Sequence, residues 1–230
     1  FKQKTAYEML RSLVGSEMCI RDRNISGELT KANLHPSIIA VSKTFPMQHI
    51  KPLIDYGHKV FGENKVQEAK QKWAKLKETE KDLELHLIGG LQSNKAKEAV
   101  ELFNYIHSLD SMKLASELSK AEVKLGLKRK YFIQVNVGKE IQKSGVSQEE
   151  VGNLLKFCVN EKKLNIVGLM CIPPFDQNSS PFFKNLKELS SALGLELTSM
   201  GMSSDYMKAA ELGSTHVRIG SQIFGSRASL

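Results

Sequence analysis

LTSMGMSSDYMKAAELGSTHVRIGSQIFGSR, Leu197 to Arg227, reads as strand, turn, short helix, strand, turn. Leu197-Thr198-Ser199-Met200 is a short apolar-rich run that ends, on this reading, at Gly201. Ser203 and Ser204 are suited to cap a helix, and Asp205 to its first turn, where negative charge meets the helix dipole. The helix then spans Tyr206 to Leu212, and Gly213 stops it. His216-Val217-Arg218-Ile219 is the next strand, closed by Gly220-Ser221, after which a short helix can start. Two strand ends therefore carry small residues, hydroxyls and backbone N–H groups. A phosphate needs such donors, close backbone approach and a nearby helix N-terminus. Glycine and serine also fill ordinary βα turns, so the stretch permits a phosphate without demanding one.

The same strand–helix unit repeats upstream. Ile38 to Val41 is a buried-type strand running into Ser42-Lys43-Thr44, and Pro46 opens a helix that Gly57 closes. Lys59 to Phe61 is a second strand, ending in Gly62-Glu63-Asn64, and Val66, Ala69, Trp73 and Leu76 stripe the helix after it. Leu83 to Ile88 and Tyr105 to Ser108 are the third and fourth strands, separated by a helix over Lys95 to Leu102. Asp110 or Ser111 caps a helix whose stripe is Leu114, Ala115, Leu118, Ala121 and Leu125. Tyr131 to Val137 is the fifth strand, and Ser147 with Glu150 reads as a capping box for the next helix. Leu164 to Met170 is the sixth strand, followed by a helix marked by Phe182, Leu186, Leu189 and Leu193. Strands that alternate with helices form a parallel sheet, and eight such units close into a (β/α)8 TIM barrel. An open doubly wound sheet is the runner-up. It calls for a Gly-rich fingerprint after the first strand, and Val41-Ser42-Lys43-Thr44 is not one.

A chain of 230 residues can bury a large core, and the barrel uses residues 24–230 as a single domain. Residues 1–23 show no clean helical stripe and read as a tail of doubtful origin, with Asn24 to Leu34 a helix remnant or connector. The three cysteines, Cys19, Cys158 and Cys171, include no Cys-x-x-Cys pair, which argues against a disulfide framework and fits a reducing, cytoplasmic setting. No apolar run approaches the ~20 residues of a membrane span. The net charge of +8 is spread along helices. It serves solubility and attracts small anions, and no nucleic-acid motif accompanies it.

In a barrel of this kind the C-terminal strand ends carry the site, and phosphate commonly sits after the seventh and eighth strands. Those ends hold Lys43, Asn64, His86 with Ile88, Asn136, Met170, Met202 with Ser203, and Arg218 with Gly220-Ser221. Lys43 is either an ordinary solvated lysine or a desolvated amine able to form a Schiff base with an aldehyde. Closure of the barrel sets strand one beside strand eight, so the second reading puts an amine next to a phosphate cradle, as pyridoxal phosphate requires. Arg218 is a salt-bridge partner of a neighbouring loop or a donor to that cofactor's pyridine nitrogen, a pairing that makes the ring a poorer electron sink. Asn64 is a ligand contact or a helix cap. His86 is read as a satisfied strand histidine more readily than as a catalyst, and Met170 and Met202 as packing residues.

AVSKTFP (Ala40–Pro46), FGENKVQEA (Phe61–Ala69), HLIGGLQSNK (His86–Lys95), QVNVGKEIQKSGV (Gln134–Val146), GLMCIPP (Gly168–Pro174) and MGMSSDYMKAAELGSTHVRIGSQIFGSR (Met200–Arg227) together resemble the pyridoxal phosphate homeostasis protein family. The resemblance runs from about residue 25 to the end, with the blocks in the family's order. It implies a single barrel like the N-terminal domain of alanine racemase, with pyridoxal 5'-phosphate held as an aldimine on Lys43. It implies that Arg218 faces the pyridine nitrogen, that Ser203, Gly220 and Ser221 hold the phosphate, and that Met202 and Asn64 line the ring pocket. It implies no catalytic residue, no metal and no established turnover. The expected role is to bind the cofactor, limit its free concentration and pass it to pyridoxal phosphate-dependent apoenzymes, as a monomer. The family's amphipathic first helix is not recognisable in residues 1–23, and Ser221 stands where threonine is expected, keeping the hydroxyl. An amino-acid racemase or decarboxylase of the same barrel type is the alternative, and it requires a second domain supplying a tyrosine. A phosphate-binding barrel for another ligand is a third reading, with no Schiff base.

Overall fold

The computed structural model describes residues 6–138, 140 and 144–225. Expectations that touch residues 1–5, Lys143 and Arg227 lie outside the described residues. The strands are β1 (Ser37–Val41), β2 (Val60–Glu63), β3 (Glu84–Leu87), β4 (Tyr105–Leu109), β5 (Lys130–Val135), β6 (Asn165–Cys171), β7 (Leu197–Met202) and β8 (His216–Ile219). They pair in parallel in chain order, and β1 closes on β8 with Ile39 opposite Arg218. The expected (β/α)8 barrel is the observed architecture. Its helices are α1 (Ala6–Lys31), α2 (Met47–Asp55), α3 (Val66–Thr79), α4 (Ala96–Leu102), α5 (Met112–Leu125), α6 (Val151–Lys156), α7 (Ser180–Ala192), α8 (Tyr206–Glu211) and α9 (Ser221–Phe224). Among the described residues no helix is long and apolar enough to cross a membrane.

The core lies between barrel and helices. Leu85, Leu87, Ile106, Ile133, Leu169, Val217 and Ile219 meet helix residues such as Trp73, Leu118 and Phe183 there. On α5 the stripe Leu114, Ala115, Leu118 and Ala121 is buried as its spacing predicts, and the Ser111 hydroxyl accepts from the Leu114 N–H.

Local reading and structure part at four places. First, α1 is one continuous helix across residues 23 and 24, and its buried face is Gly15, Met18, Asp22, Ile25 and Leu29. Gly15 meets Pro52 of α2, and Asp22 pairs with His58 at 3.2 Å. Glycine and aspartate at two of the five positions hide this stripe from a hydrophobicity reading. Second, Ser147 and Glu150 bond to each other at 2.8 Å instead of to backbone N–H groups. Helix α6 starts only at Val151 and continues as a π-helical turn, Phe157–Glu161. Third, the buried face of α7 is Phe183, Leu186 and Ser190, rotated from the expected stripe. Fourth, β7 runs through Gly201 to Met202. Gly201 has φ +91°, and a Cβ there would sit 2.4 Å from the Ala209 Cβ, so only glycine lets α8 pack this closely. Ser203 and Ser204 consequently do not cap α8. Asp205 holds the N-cap position, and its carboxylate accepts from the Met202 N–H at 2.7 Å.

Candidate functional site

The C-terminal ends of the strands surround a cavity of about 670 Å³. Lys43, Asn64, Met202, Ser203, Arg218, Gly220 and Ser221 all lie on its wall. Asn64 is therefore a wall residue and not a cap, since Lys65 holds the N-cap position of α3. Val41, Phe45, Ile88 and Ile172 supply apolar wall, and Phe175 stands fully exposed at the rim. Ser203 and Gly220 come from different strand ends and meet directly, the Gly220 N–H donating to the Ser203 hydroxyl at 3.2 Å. Ser204, Ser221 and Gln222 complete this polar side.

Arg218 is only 4% exposed. One terminal nitrogen donates to the carbonyl of Ser199 at 2.8 Å and to its hydroxyl at 2.7 Å, and the other to the carbonyl of Cys171 at 2.8 Å. No carboxylate pairs with it among the described residues. Burial pulls its pKa down from the ordinary value, but a guanidinium keeps its proton in proteins. Three of its five N–H groups are thus committed to neutral acceptors, and the remaining donors are left for a ligand. A buried cation held by neutral groups is unusual and suits an acceptor or an anion in the cavity.

Lys43 is half-buried in the loop between β1 and α2. Thr44, next to it, sits in the left-handed region at φ +68°, a costly conformation for a β-branched residue. The loop is pinned from α3. The Thr44 N–H donates to the Glu68 carboxylate at 2.6 Å, and the Lys72 ammonium donates to the carbonyls of Ser42 and Phe45. Lys72 in turn pairs with Glu68 and with the fully buried Glu63, which also accepts from Ser42 and Trp73. Partial burial opposes ionisation of Glu68, but the Lys72 ammonium and the Thr44 N–H outweigh it, so its pKa falls below 4.5. A depressed carboxyl stabilises the fold above its unfolded value and loses that contribution as pH falls through the folded one. Glu68→Gln is expected to cost about 1 kcal/mol at pH 7. In denaturant titrations the gap to wild type should close below pH 4.

His86 is not at the mouth. It is fully buried inside the barrel, stacked on Tyr105 at 4.4 Å, and it bonds to His107 and to Glu84. Met170 likewise lies inside, with Tyr105 and Phe132. Asn136 holds its own loop by bonds to the backbone of Glu140. His86 is thus the satisfied strand histidine expected from the sequence, but the interior polar group it forms with His107, His216 and Ser199 is not among the motifs read there. Its signal is a polar residue two positions from another inside an apolar strand, as in Glu84-Leu85-His86 and His216-Val217-Arg218.

The family described as alanine racemase, N-terminal domain, matches residues 22–228. The pyridoxal phosphate homeostasis protein of Aquifex aeolicus is 40% identical over 199 residues, covering 83% of this chain and 86% of that protein. This chain belongs to the pyridoxal phosphate homeostasis protein family. The Escherichia coli member is 34% identical over 220 residues, covering 90% of this chain and 94% of its own. Among solved structures, PipY of Synechococcus elongatus with pyridoxal phosphate bound superposes with a TM-score of 0.81 at 34% identity. That match covers 90% of this chain and all of PipY. Alanine racemase of Clostridium difficile shares the fold, with a TM-score of 0.74 at 14% identity, and this chain covers 58% of it.

Proposed function

We propose that this protein binds pyridoxal 5'-phosphate in the mouth cavity, with Lys43 as covalent anchor, and serves homeostasis of that cofactor. One observation carries the reading: a strand-end lysine and a buried arginine that has no carboxylate partner among the described residues share one cavity with a serine–glycine wall. The donor set suits the group. When bound, the cofactor supplies an aldehyde, a pyridine ring and a phosphate monoester. Lys43 is the amine for the aldehyde. Ser203, Gly220 and Ser221 offer hydroxyl and backbone donors for the phosphate. Asn64 and Met202 would line the pocket of the ring, and Arg218, which has donors only, would face the pyridine nitrogen and keep it unprotonated. Such a ring stabilises a carbanion poorly, which supports storage over turnover. Relatives carry homeostasis names, and we read this chain as a non-catalytic, cytoplasmic monomer that hands the cofactor to apoenzymes.

Titration with pyridoxal phosphate tests the reading. It predicts a yellow complex and, after borohydride, a single covalent adduct by mass spectrometry. A chain that stays colourless and unmodified overturns it. Amino-acid racemisation by the loaded protein would overturn the non-catalytic part alone. Arg218→Met should still form the adduct but bind about tenfold more weakly, the equivalent of one lost charge-assisted hydrogen bond. Equilibrium absorbance titration measures this.

A further inference from the structure

We propose that Ser199, His107, His86 and Glu84 form a polarised hydrogen-bond line through the barrel interior that positions Arg218 for the cofactor. The proposal rests on the reading of the mouth as a pyridoxal phosphate site. The links are short and continuous. Arg218 donates to the Ser199 hydroxyl at 2.7 Å, Ser199 meets His107 Nδ1 at 2.9 Å, His107 Nε2 meets His86 Nδ1 at 2.8 Å, and His86 Nε2 meets Glu84 at 2.9 Å. The line thus runs from the cavity wall to a carboxylate at the start of β3, on the opposite side of the barrel.

The direction of every proton follows from the ends. Glu84 is ionised: its burial is outweighed by the bond from His86. It accepts, so His86 carries its proton on Nε2. Burial keeps His86 and His107 neutral. A neutral ring has one donor and one acceptor, so His86 Nδ1 accepts and His107 Nε2 donates. His107 Nδ1 then accepts from the Ser199 O–H. That leaves the Ser199 lone pairs for Arg218, which has only donors. The two ends agree, and no atom of the line is left without a partner.

Arginine does not give up its proton, so the line is a fixed set of dipoles and not a proton conduit. Its effect is to point the Ser199 proton at His107 and so present only lone pairs to Arg218. That commits one terminal nitrogen of Arg218 to the barrel; with the bond of the other to Cys171, two donors are left for the cavity that Arg218 lines. Hydrogen bonds in such a chain polarise one another, so loss of the far end is felt at the near one. Other groups around the line are His216, Lys130 and Lys77, which disfavour extra positive charge on His86 or His107, and Tyr105, which stacks on His86.

The test has two arms. In cofactor-free protein with ¹⁵N-labelled histidine, long-range ¹H–¹⁵N spectra between pH 6 and 8 should show His86 and His107 as neutral Nε2–H tautomers. An Nδ1–H tautomer or a charged ring at either position overturns the proposal. In the second arm, Ser199→Ala should raise the dissociation constant for pyridoxal phosphate about tenfold, and Ser199→Thr should return it to within about twofold. Glu84→Ala alters a side chain that is 35% exposed and so tolerates change. It should raise the constant about threefold and shift the His107 ring signals. Wild-type binding by Ser199→Ala and Glu84→Ala overturns the line alone. Failure of the wild type itself to capture pyridoxal phosphate overturns the underlying reading of the site.

Discussion

Lys43→Ala is expected to abolish covalent capture of pyridoxal 5'-phosphate. Among the described residues that line the cavity, Lys43 is the sole amine. No neighbour on the wall can replace it, because the other basic group there is the guanidinium of Arg218, which does not act as a nucleophile at neutral pH. The loop that carries Lys43 is held by Glu68 and Lys72 from α3, so the alanine variant should keep its backbone and its fold. The serine–glycine wall and Arg218 remain, and residual non-covalent binding is expected on the order of a hundredfold weaker, ~2.8 kcal/mol at 1.4 kcal/mol per factor of ten. Absorbance and mass spectrometry after borohydride read both quantities. A borohydride-fixed adduct of undiminished yield in Lys43→Ala would place the anchor elsewhere and sink the assignment.

The second large effect is loss of stability in acid. His86, His107 and His216 are buried inside the barrel. Burial is the main reason their pKa values fall: His86 below 6.5, His107 well below it, and His216 to about 4. In the unfolded chain each imidazole regains an ordinary value near 6.5. Below that pH the unfolded state binds more protons than the folded one, so stability falls as pH falls. It is fully present above pH 6.5 and declines through the window down to about 4 set by His216. Each imidazole contributes a slope of at most about 1.4 kcal/mol per pH unit, and the three together at most about 4 kcal/mol per unit. Against a typical total of roughly 5–15 kcal/mol, a loss on this scale should be plain between pH 7.5 and pH 5. Guanidinium unfolding at pH 7.5, 6 and 5 measures the slope, and His107→Gln should make it shallower by at most about 1.4 kcal/mol per unit. Equal stability at pH 7.5 and pH 5 would contradict the buried neutral state of these rings.

Two members of this interior cluster also connect to the wall of the mouth cavity. His107 and His86 lie on the line that ends at Arg218, so the same neutral rings that make the barrel acid-sensitive also contact the wall of the mouth cavity through Ser199. The apolar layers usual for such barrels are here replaced by aromatic and imidazole rings, such as His107 stacked on Phe132 at 4.3 Å. The barrel interior gives up some acid tolerance and gains an ordered hydrogen-bond path.

The periodicities that specify this fold are local, and they are present in the chain as written. Strand runs such as Ile38 to Val41 and Tyr131 to Val135 alternate with helical stripes such as Leu114, Ala115 and Leu118, and eight repeats leave a closed parallel barrel as the natural solution. The strand-end positions of Lys43, Asn64, Met202, Ser203, Arg218, Gly220 and Ser221 follow from the same periodicity, which is why one cavity gathers them. Contacts between residues far apart in the chain have no such local signature. His107 meets Ser199 across 92 positions, Arg218 meets Cys171 across 47, and Lys72 meets Ser42 across 30. The alternation Glu84-Leu85-His86 hints at an inward polar face, but nothing in the neighbourhood of His86 announces that its partner is His107. Packing decided the smaller departures too. Gly201 carries β7 one residue past its expected stop because α8 presses against it, and the face of α1 is built from Gly15 and Asp22 as much as from Met18 and Leu29. Side-chain alternation and helical pitch act over a few residues. Barrel closure brings together strands that lie far apart in sequence, and only that closure determines which polar groups meet.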